Sequence, residues 1–192
     1  MSKNNKRGLL IIMSGPSGVG KGTIREELMK DKSLNLFYSI SMTTRKPRPG
    51  EQDGREYYFV THEEFDKNIE TDNFLEWAEY CTNKYGTPRD KVEELRNQGK
   101  NVLLEIDVKG TEQVLSKLKG DDVTSIFIVP PSLEELEARI RGRSTETEDA
   151  IQRRLKQARD ELKFKDQYKY IVVNDKLEDA VNEVRKILLE KM

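Results

Sequence analysis

The residues with the clearest chemical potential form one glycine-rich segment near the start of the chain. It reads Gly15-Pro16-Ser17-Gly18-Val19-Gly20-Lys21-Gly22-Thr23. Glycines allow the unusual turns that aim several backbone N–H groups at one phosphate, and Lys21 adds a mobile positive charge. An apolar run precedes the segment and a helical pattern follows it, which favours a phosphate-binding loop over a simple glycine-rich turn. We therefore expect Ser14 and these residues to bind the phosphates of a donor nucleotide in a phosphoryl-transfer enzyme.

The position after Lys21 departs from the strict form of such loops. A Ser or Thr usually follows the lysine and binds Mg²⁺, but here Gly22 takes that place and Thr23 follows. We therefore expect Mg²⁺ to be held mainly by the phosphates of the nucleotide and by water. Whether Thr23 contacts the metal stays open at this level.

The elements that must position this loop form an alternating pattern of strands and helices. Four apolar runs are typical of buried parallel strands: residues 9–13, 101–107, 124–129 and 170–173. Apolar residues at spacings of three and four predict helices across residues 151–162 and 177–188. Capping boxes predict two further helix starts, after Thr61 and after Ser132. Buried strands that alternate with helices predict a parallel α/β sheet.

The overall composition excludes several other kinds of protein. The 192 residues suit one compact domain, and the net charge of −1 argues against broad nucleic-acid binding. No stretch approaches the roughly 18 apolar residues of a membrane span. The single histidine, His62, is expected in the first turn of a helix rather than in a metal site. The single cysteine, Cys81, can form no internal disulfide, so we expect a cytoplasmic protein. Because a catalytic cysteine would require a histidine partner, we interpret Cys81 as a small buried apolar residue.

Beyond the loop, the order of motifs resembles that of the guanylate kinases, which make GDP from GMP and ATP. The similarity spans nearly the whole chain and rests on the loop and on further segments: residues 39–51, 54–60, 74–78, 85–87, 104–107, 142–148 and 173–175. It implies a P-loop three-layer α/β fold with a central parallel sheet, an inserted mixed α/β GMP-binding subdomain and a small helical lid. It also implies ATP with Mg²⁺ as co-substrate.

The resemblance divides the single domain, residues 1–192, into three parts. The core would comprise residues 1–38, 95–131 and 165–192. The GMP-binding subdomain would comprise residues 39–94, and the lid with its flanking helices would comprise residues 132–164.

The same resemblance assigns four residues to the phosphate of GMP. They are Arg45, Arg48, Tyr57 and Tyr85. Arginine forks match phosphate oxygens with two hydrogen bonds, and phenol hydroxyls add neutral donors. These residue types therefore suit a phosphate dianion.

Four other residues are assigned to the guanine base. Guanine offers an N1–H and an exocyclic amine, and the carboxylates of Glu76 and Asp107 can accept both protons, which adenine lacks as a pair. Ser41 and Thr87 can add hydroxyl contacts. Asp107 is expected to end a buried strand at the ligand-facing edge of the sheet.

Basic side chains are expected to surround the transferred phosphoryl group: Lys21, Arg45, Arg143 and Arg154. They would stabilise the negative charge that spreads over this group in the transition state. The resemblance also places Arg139 near ATP, whereas Lys156 and Arg159 are interpreted as a solvated helix face. Asn174 stays open between contact with the adenine of ATP and an ordinary turn. The arginine-rich stretch is expected to close as a lid that excludes water.

Three other functions are compatible with a phosphate loop. A kinase for AMP or a pyrimidine nucleotide would not need the carboxylates expected at guanine. Guanylate-kinase-like binding modules usually lack an intact phosphate loop, which this chain retains. A GTPase would carry an Asn-Lys-x-Asp motif, and the sequence has none. We therefore expect ATP and GMP as partners of a monomer or small homo-oligomer, with no nucleic acid or membrane.

Overall fold

The computed structural model describes residues 6–118, 123–142 and 147–192 of the chain. The strands within these ranges are β1 (Leu10–Ser14), β2 (Leu36–Tyr38), β3 (Met42–Thr43), β4 (Tyr58–Phe59), β5 (Phe74–Tyr80), β6 (Asn83–Pro88), β7 (Asn101–Glu105), β8 (Val123–Val129) and β9 (Tyr170–Val173). The α-helices are α1 (Lys21–Lys30), α2 (His62–Glu70), α3 (Arg89–Asn97), α4 (Val108–Lys117), α5 (Leu133–Gly142), α6 (Glu148–Leu162) and α7 (Leu177–Lys191).

A five-stranded sheet in the order β2-β7-β1-β8-β9 forms the centre of the fold. All its neighbouring strands are parallel, which confirms the predicted parallel α/β sheet. The four predicted apolar runs supply β1, β7, β8 and β9. The edge strand β2 was not predicted, because three residues carry too short a pattern. The strand expected across residues 101–107 ends at Glu105, because Asp107 caps α4.

The alternation of side chains along β1 explains why the fold has three layers. Ile11 and Met13 lie in a core cluster with residues of α1, α5, α6 and α7, whereas Leu10 and Ile12 lie in a cluster with residues of α3 and α4. Successive side chains of a strand point to opposite faces. Because both faces of this strand are apolar, each requires a covering layer of helices.

A second, four-stranded sheet in the order β4-β3-β6-β5 is mixed: β3 runs parallel to β4 and antiparallel to β6. Its small core contains Met42, Phe65 and Phe74. Trp77 on β5 and Gln113 on α4 exchange two hydrogen bonds, of 3.1 and 2.9 Å, which join this sheet to the central fold. His62 begins α2, as predicted. Within the described ranges, no helix combines the length and the apolar character needed to cross a bilayer.

The hairpin between β5 and β6 holds two residues in the left-handed backbone region. Cys81 has a φ of 48° and Thr82 a φ of 66°, and both are exposed. The prediction that Cys81 is buried was therefore wrong, because the cysteine lies at the tip of a turn rather than on the packed face of an element.

Replacing Thr82 with glycine is expected to raise the free energy of unfolding by about 1 kcal/mol. A β-branched residue is strained at positive φ, and two-residue hairpin turns favour glycine at this position. Urea unfolding followed by circular dichroism measures the change. A variant less stable than the parent would show that Thr82 carries no such strain.

Candidate active site

The glycine-rich loop joins β1 to α1. Gly15 has a φ of 143°, and a Cβ on it would lie 2.3 Å from the carbonyl oxygen of Ile128, so this approach to β8 requires glycine. Gly20, with a φ of 99°, caps α1, and the positive end of the helix dipole therefore lies at the loop. Ser14 is completely buried at the end of β1, and Val19 is buried in the core beneath the loop.

Lys21 is the first residue of α1, and its side chain folds onto the loop. Its Nζ donates hydrogen bonds to the carbonyl oxygens of Gly15, at 2.5 Å, and Pro16, at 3.0 Å. Burial lowers the pKa of Lys21, while the negative charges of Glu105, Glu161 and Asp107 act in the opposite direction. The ammonium group therefore lies in a largely buried setting bordered by acids.

A cavity of 360 Å³ opens on this loop. Its walls are Ser17, Gly18, Gly20, Lys21, Gly22, Thr23, Glu26 and Glu105. A Cβ on Gly22 would lie 3.9 Å from Nη2 of Arg25, its nearest contact outside the helix backbone. A larger residue would therefore fit at this position. The loop therefore presents mainly backbone and one ammonium group to the cavity.

Sequence reasoning assigned no role to Glu105, which the structure places in the wall of this cavity. Glu105 ends β7 beside Met13 of β1, and its Oε2 accepts a hydrogen bond of 2.9 Å from Nη1 of Arg25. P-loop enzymes hold Mg²⁺ partly through an acid at the end of a neighbouring strand. The position of Glu105 at the end of an apolar run was therefore a sequence signal that could have marked it as a candidate near Mg²⁺.

A larger cavity, of 860 Å³, lies between the second sheet and helices α4 and α6. Five residues expected at GMP line it: Ser41, Tyr57, Glu76, Tyr85 and Asp107. Thr87, a sixth, is buried behind Glu76, and its Oγ1 donates to Glu76 Oε1 at 2.5 Å. Lys156 also lines this cavity, so its interpretation as part of a merely solvated face was incomplete.

The carboxylates of Glu76 and Asp107 converge near the first turn of α4. A Cβ on Gly110 would lie 3.1 Å from Glu76 Oε2 and 3.4 Å from Asp107 Oδ1, so the glycine leaves room for both. Asp107 is exposed and caps α4, with its Oδ1 accepting from the Gly110 N–H at 2.7 Å. The expectation that Asp107 ends a buried strand was therefore wrong, although its carboxylate does line the cavity.

Glu76 is a buried acid with a perturbed proton affinity. Burial raises the pKa of Glu76, the charge of Asp107 raises it further, and the hydrogen bond from Thr87 opposes the shift. Because the folded state then binds this proton more tightly than the unfolded chain, the free energy of unfolding falls as the pH rises from the ordinary value of 4.5 through the raised pKa. Ionising the Glu76 carboxyl in the folded protein therefore costs stability.

Replacing Glu76 with glutamine is expected to raise the free energy of unfolding at pH 7 by about 1 kcal/mol, because glutamine avoids the cost of ionising a buried acid while its amide oxygen still accepts from Thr87. This gain should vanish below the ordinary pKa of 4.5, where glutamate is protonated in both states. Thermal unfolding at pH 7 and pH 4 measures both values. Glu79→Gln, at an exposed position of the same strand, should change neither, and a destabilised E76Q variant would contradict the argument.

Arg45 lies next to Tyr57, which together with Tyr85 lines one part of the larger cavity. Its guanidinium forms an ion pair of 2.9 Å with Glu51 and lies 5.5 Å from the ring centre of Tyr57. The rings of Tyr57 and Tyr85 meet edge to face with centres 5.9 Å apart. Arg48 is exposed on the same segment. The structure therefore groups three of the residues expected at the phosphate of GMP, Arg45, Tyr57 and Tyr85, and places Arg48 on the same segment as Arg45.

Two arginines of the expected lid contact the phosphate loop or the residue that packs beneath it: Arg154 contacts Ser17, and Arg139 contacts Asn174. Nη2 of Arg154 donates to Ser17 Oγ at 3.1 Å. Nη1 of Arg139 donates to the carbonyl oxygen of Asn174 at 2.9 Å, and the buried amide of Asn174 donates to the carbonyl oxygen of Val19 at 2.8 Å. Asn174 thus supports the loop from below. Arg143, which was also expected in the lid, is outside the residues that the structure describes.

Helix α6 contributes a second acid that sequence reasoning missed. Glu161 lines the larger cavity, has only 9% of its surface exposed, and accepts from Gln157 Nε2 at 2.9 Å through Oε1. Its Oε2 is buried without a hydrogen-bond partner among the described residues. Glu161 stands three residues after Ala158, on the apolar side of the predicted helix. An acidic residue on the apolar side of a predicted helix is a sequence signal that could have marked Glu161 as a candidate site residue.

Comparison with known proteins identifies relatives that match over nearly the whole chain. The sequence profile of the guanylate kinase family matches residues 7–191. The guanylate kinase of Malacoplasma penetrans is 48% identical over 192 residues, which cover 100% of this chain and 98% of that protein. The guanylate kinase of Bacillus anthracis is 50% identical over 185 residues, covering 96% of this chain and 89% of that protein.

A solved structure supports the same relationship. The crystal structure of guanylate kinase from Anaplasma phagocytophilum superposes with a TM-score of 0.73 at 34% sequence identity. The match covers 97% of this chain and 88% of that one. The α/β architecture and the motif order therefore agree with the same group of proteins.

Proposed function

The chain belongs to the guanylate kinase family, and we propose that its two cavities bind the two substrates of that family's reaction. The protein transfers the γ-phosphoryl group of ATP to GMP, which gives GDP and ADP. The loop cavity would hold the phosphates of ATP, and the larger cavity would hold GMP. The convergence of the Glu76 and Asp107 carboxylates in the larger cavity carries this assignment, since guanine offers two adjacent donors and adenine does not.

The donor site is formed by the loop and its supports. Backbone N–H groups of residues 15–23, except Pro16, which has none, and the Lys21 ammonium group bind the phosphates, while the dipole of α1 adds positive potential. Asn174 acts through the loop, because its amide holds the Val19 carbonyl. Arg139 remains our candidate for a contact with ATP near Asn174.

The loop cavity contains oxygen groups that suit Mg²⁺. Thr23 and Glu105 line it, and Mg²⁺ prefers carboxylate, phosphate and water oxygens. The described residues contain no group of three His, Cys, Asp or Glu side chains that could hold a metal by themselves. We therefore assign the ion mainly to phosphates and water, with Glu105 as an outer contact. The ion neutralises charge on the donor phosphates when it is bound.

The acceptor site has a phosphate end and a base end. Arg45, Arg48, Tyr57 and Tyr85 would bind the phosphate. At the other end, the carboxylates would accept the guanine N1–H and amine protons, with Ser41 adding a hydroxyl contact. Thr87 would act through Glu76, whose carboxylate it holds in place. A site of this kind discriminates strongly, because a base without the matching donors leaves buried oxygens unsatisfied.

Transfer itself would depend on position and charge rather than on a covalent intermediate. Arg154 reaches Ser17 at the tip of the loop, and Lys21 stands at its base, so both can neutralise the moving group. Arg45 would act from the acceptor side. Arg143 is proposed for the same task on the resemblance alone. The lid would exclude water and so protect ATP from hydrolysis.

A coupled assay of ADP formation tests the assignment of acceptor. With MgATP, GMP should be converted at least about 10³-fold faster, in kcat/KM, than AMP, CMP or UMP. Glu76→Gln should reduce this preference, because one acceptor oxygen at the base is replaced by an amide donor. Equal use of GMP and AMP by the unmodified protein would overturn the assignment, and absence of any turnover would favour a binding module.

We further propose a cytoplasmic protein that works as a monomer or small homo-oligomer. The single exposed thiol, Cys81, fits a reducing compartment. Light scattering after gel filtration measures the oligomeric state.

A further inference from the structure

Glu51 forms a two-pronged contact with Arg45. Glu51 Oε1 accepts from Arg45 Nη2 and Glu51 Oε2 accepts from Arg45 Nη1, both at 2.9 Å. The two side chains are only 18% and 15% exposed, respectively. Sequence reasoning gave Glu51 no role. An ion pair of this geometry is stronger and more directional than an ordinary surface pair, because both hydrogen bonds are parallel.

The contact uses the Nη1–Nη2 edge of the guanidinium group and leaves the Nε–Nη2 edge outside the ion pair. Glu51 takes one hydrogen from Nη1 and one from Nη2, and the carbonyl oxygen of Lys46 takes the second Nη1 hydrogen at 2.8 Å. The Nε–H and the remaining Nη2–H lie side by side on the opposite edge. Two adjacent donors of this kind match two oxygens of a phosphate.

The surroundings of Arg45 fix the plane of the guanidinium. The ring centres of Tyr57 and Phe59 lie 5.5 and 5.7 Å from its central carbon. The hydrogen bonds that Arg45 donates to Glu51 come first among the causes that raise the pKa of Arg45, and a side-chain interaction with Tyr85 raises it further. The arginine therefore lies between Glu51 and both tyrosines that are proposed to bind the same phosphate.

The same carboxylate also organises the segment that carries Arg48. Glu51 Oε2 accepts from the Arg48 backbone N–H at 2.7 Å, and the Glu51 N–H donates to the Arg48 carbonyl oxygen at 3.0 Å. One side chain thus connects the side chain of Arg45 to the backbone of Arg48. Hydrogen bonds from Arg45 first, and then from Arg48, lower the pKa of Glu51, so the carboxylate stays charged at neutral pH.

From this geometry we propose that Glu51 is a positioning residue for GMP: it holds Arg45 and the Arg48 turn so that the Nε edge of Arg45 faces the phosphate of the acceptor. Glu51 itself does not touch the substrate. The inference rests on the proposed function, in which Arg45 and Arg48 bind that phosphate. An unheld Arg45 would have to lose side-chain freedom on each binding event, which weakens binding.

Calorimetric titration with GMP and with guanosine tests this role. The unmodified protein should bind GMP more tightly than guanosine, since only GMP has the phosphate. Glu51→Gln should weaken GMP binding by about 10-fold and leave guanosine binding within about 2-fold, because one oxygen cannot hold both prongs. In steady-state assays the KM for GMP should rise while the KM for ATP stays constant. Glu51→Asp, which keeps the charge, should recover part of the loss.

Glu56→Gln provides a matched control. Glu56 lies in the same segment and also accepts from an arginine, Arg55 at 2.6 Å, and from a backbone N–H, Gln52 at 2.7 Å. The Glu56→Gln variant should bind GMP and guanosine as tightly as the unmodified protein does. Equal losses for GMP and guanosine in E51Q would overturn the proposal, because they would indicate a general effect on the subdomain, and unchanged or tighter GMP binding would overturn it too. If the unmodified protein did not prefer GMP to guanosine, the phosphate site itself would fail.

Discussion

Replacing Arg154 with methionine is expected to lower kcat by about 10³-fold or more, with GMP affinity changed by less than about 3-fold. Arg154 reaches the tip of the phosphate loop through Ser17 Oγ at 3.1 Å. An arginine at this place stabilises charge that develops only in the transition state, so its loss should appear in kcat rather than in binding. Steady-state kinetics at saturating ATP and GMP, together with calorimetry for GMP, separate the two effects.

Arg159→Met is the control for this experiment. Arg159 lies on the same helix and is exposed, so its replacement should leave turnover within about 2-fold, as for a solvated side chain. Arg143→Met, tested in parallel, should behave like Arg154→Met if the lid assignment is right. Turnover within a few-fold of the unmodified protein in both lid variants would show that the lid arginines do not take part in transfer.

Replacing Lys21 with methionine is expected to lower kcat by about 10²- to 10³-fold. The ammonium group lies at the loop, 2.5 Å from the Gly15 carbonyl oxygen and 3.0 Å from that of Pro16. It would move to the phosphates when ATP binds, and it would then neutralise charge in a cavity from which water is partly excluded. The same kinetic assay gives kcat, and circular dichroism checks that the fold is retained.

Lys30→Met is the control for Lys21→Met, because Lys30 ends the same helix and pairs with Glu27 at the surface. It should change kcat by less than about 2-fold. The loss in Lys21→Met should persist at saturating MgATP, since methionine cannot supply the missing charge. Full recovery of turnover at high MgATP would mean that Lys21 contributes to binding alone, contrary to this prediction.

The local pattern of the chain determines much of the fold. Each signal that succeeded was short in range. Leu10 to Met13 are apolar on both faces, which requires a strand buried between two layers of helices. Thr61 accepts from the N–H of Glu64, and Ser132 from that of Glu135, as capping boxes predict. Gly15 and Gly20 adopt the positive φ angles that a phosphate loop needs.

The family motifs in the sequence likewise predict most of the proposed acceptor site. Residues such as Tyr57, Glu76 and Tyr85 are far apart in the chain, and their grouping could be predicted only because the order of motifs resembles that of a known family. The structure brings these side chains to one cavity. Their roles toward GMP are a proposal, and the Glu76→Gln variant tests it at the base end of the site.

Other features depended on tertiary contacts, because the pattern along the chain does not reveal how far apart two residues lie in the folded protein. Glu105 and Glu161 became candidates only when β7 and α6 were placed beside the cavities. Asp107 was expected in a strand, but the start of α4 uses its carboxylate as a cap. Cys81 was expected in the core, but the hairpin turn exposes it.

The phosphate loop illustrates the division between the two sources of information. Its spacing of glycines and lysine predicts that phosphates bind there, because backbone N–H groups and one ammonium group suffice for that task. The sequence alone left open what surrounds the loop. Only the fold decided that Arg154 reaches its tip, that Asn174 supports it from below, and that Glu51 holds Arg45. These contacts join residues distant in the chain or depend on the path of a turn, so three-dimensional packing determines them.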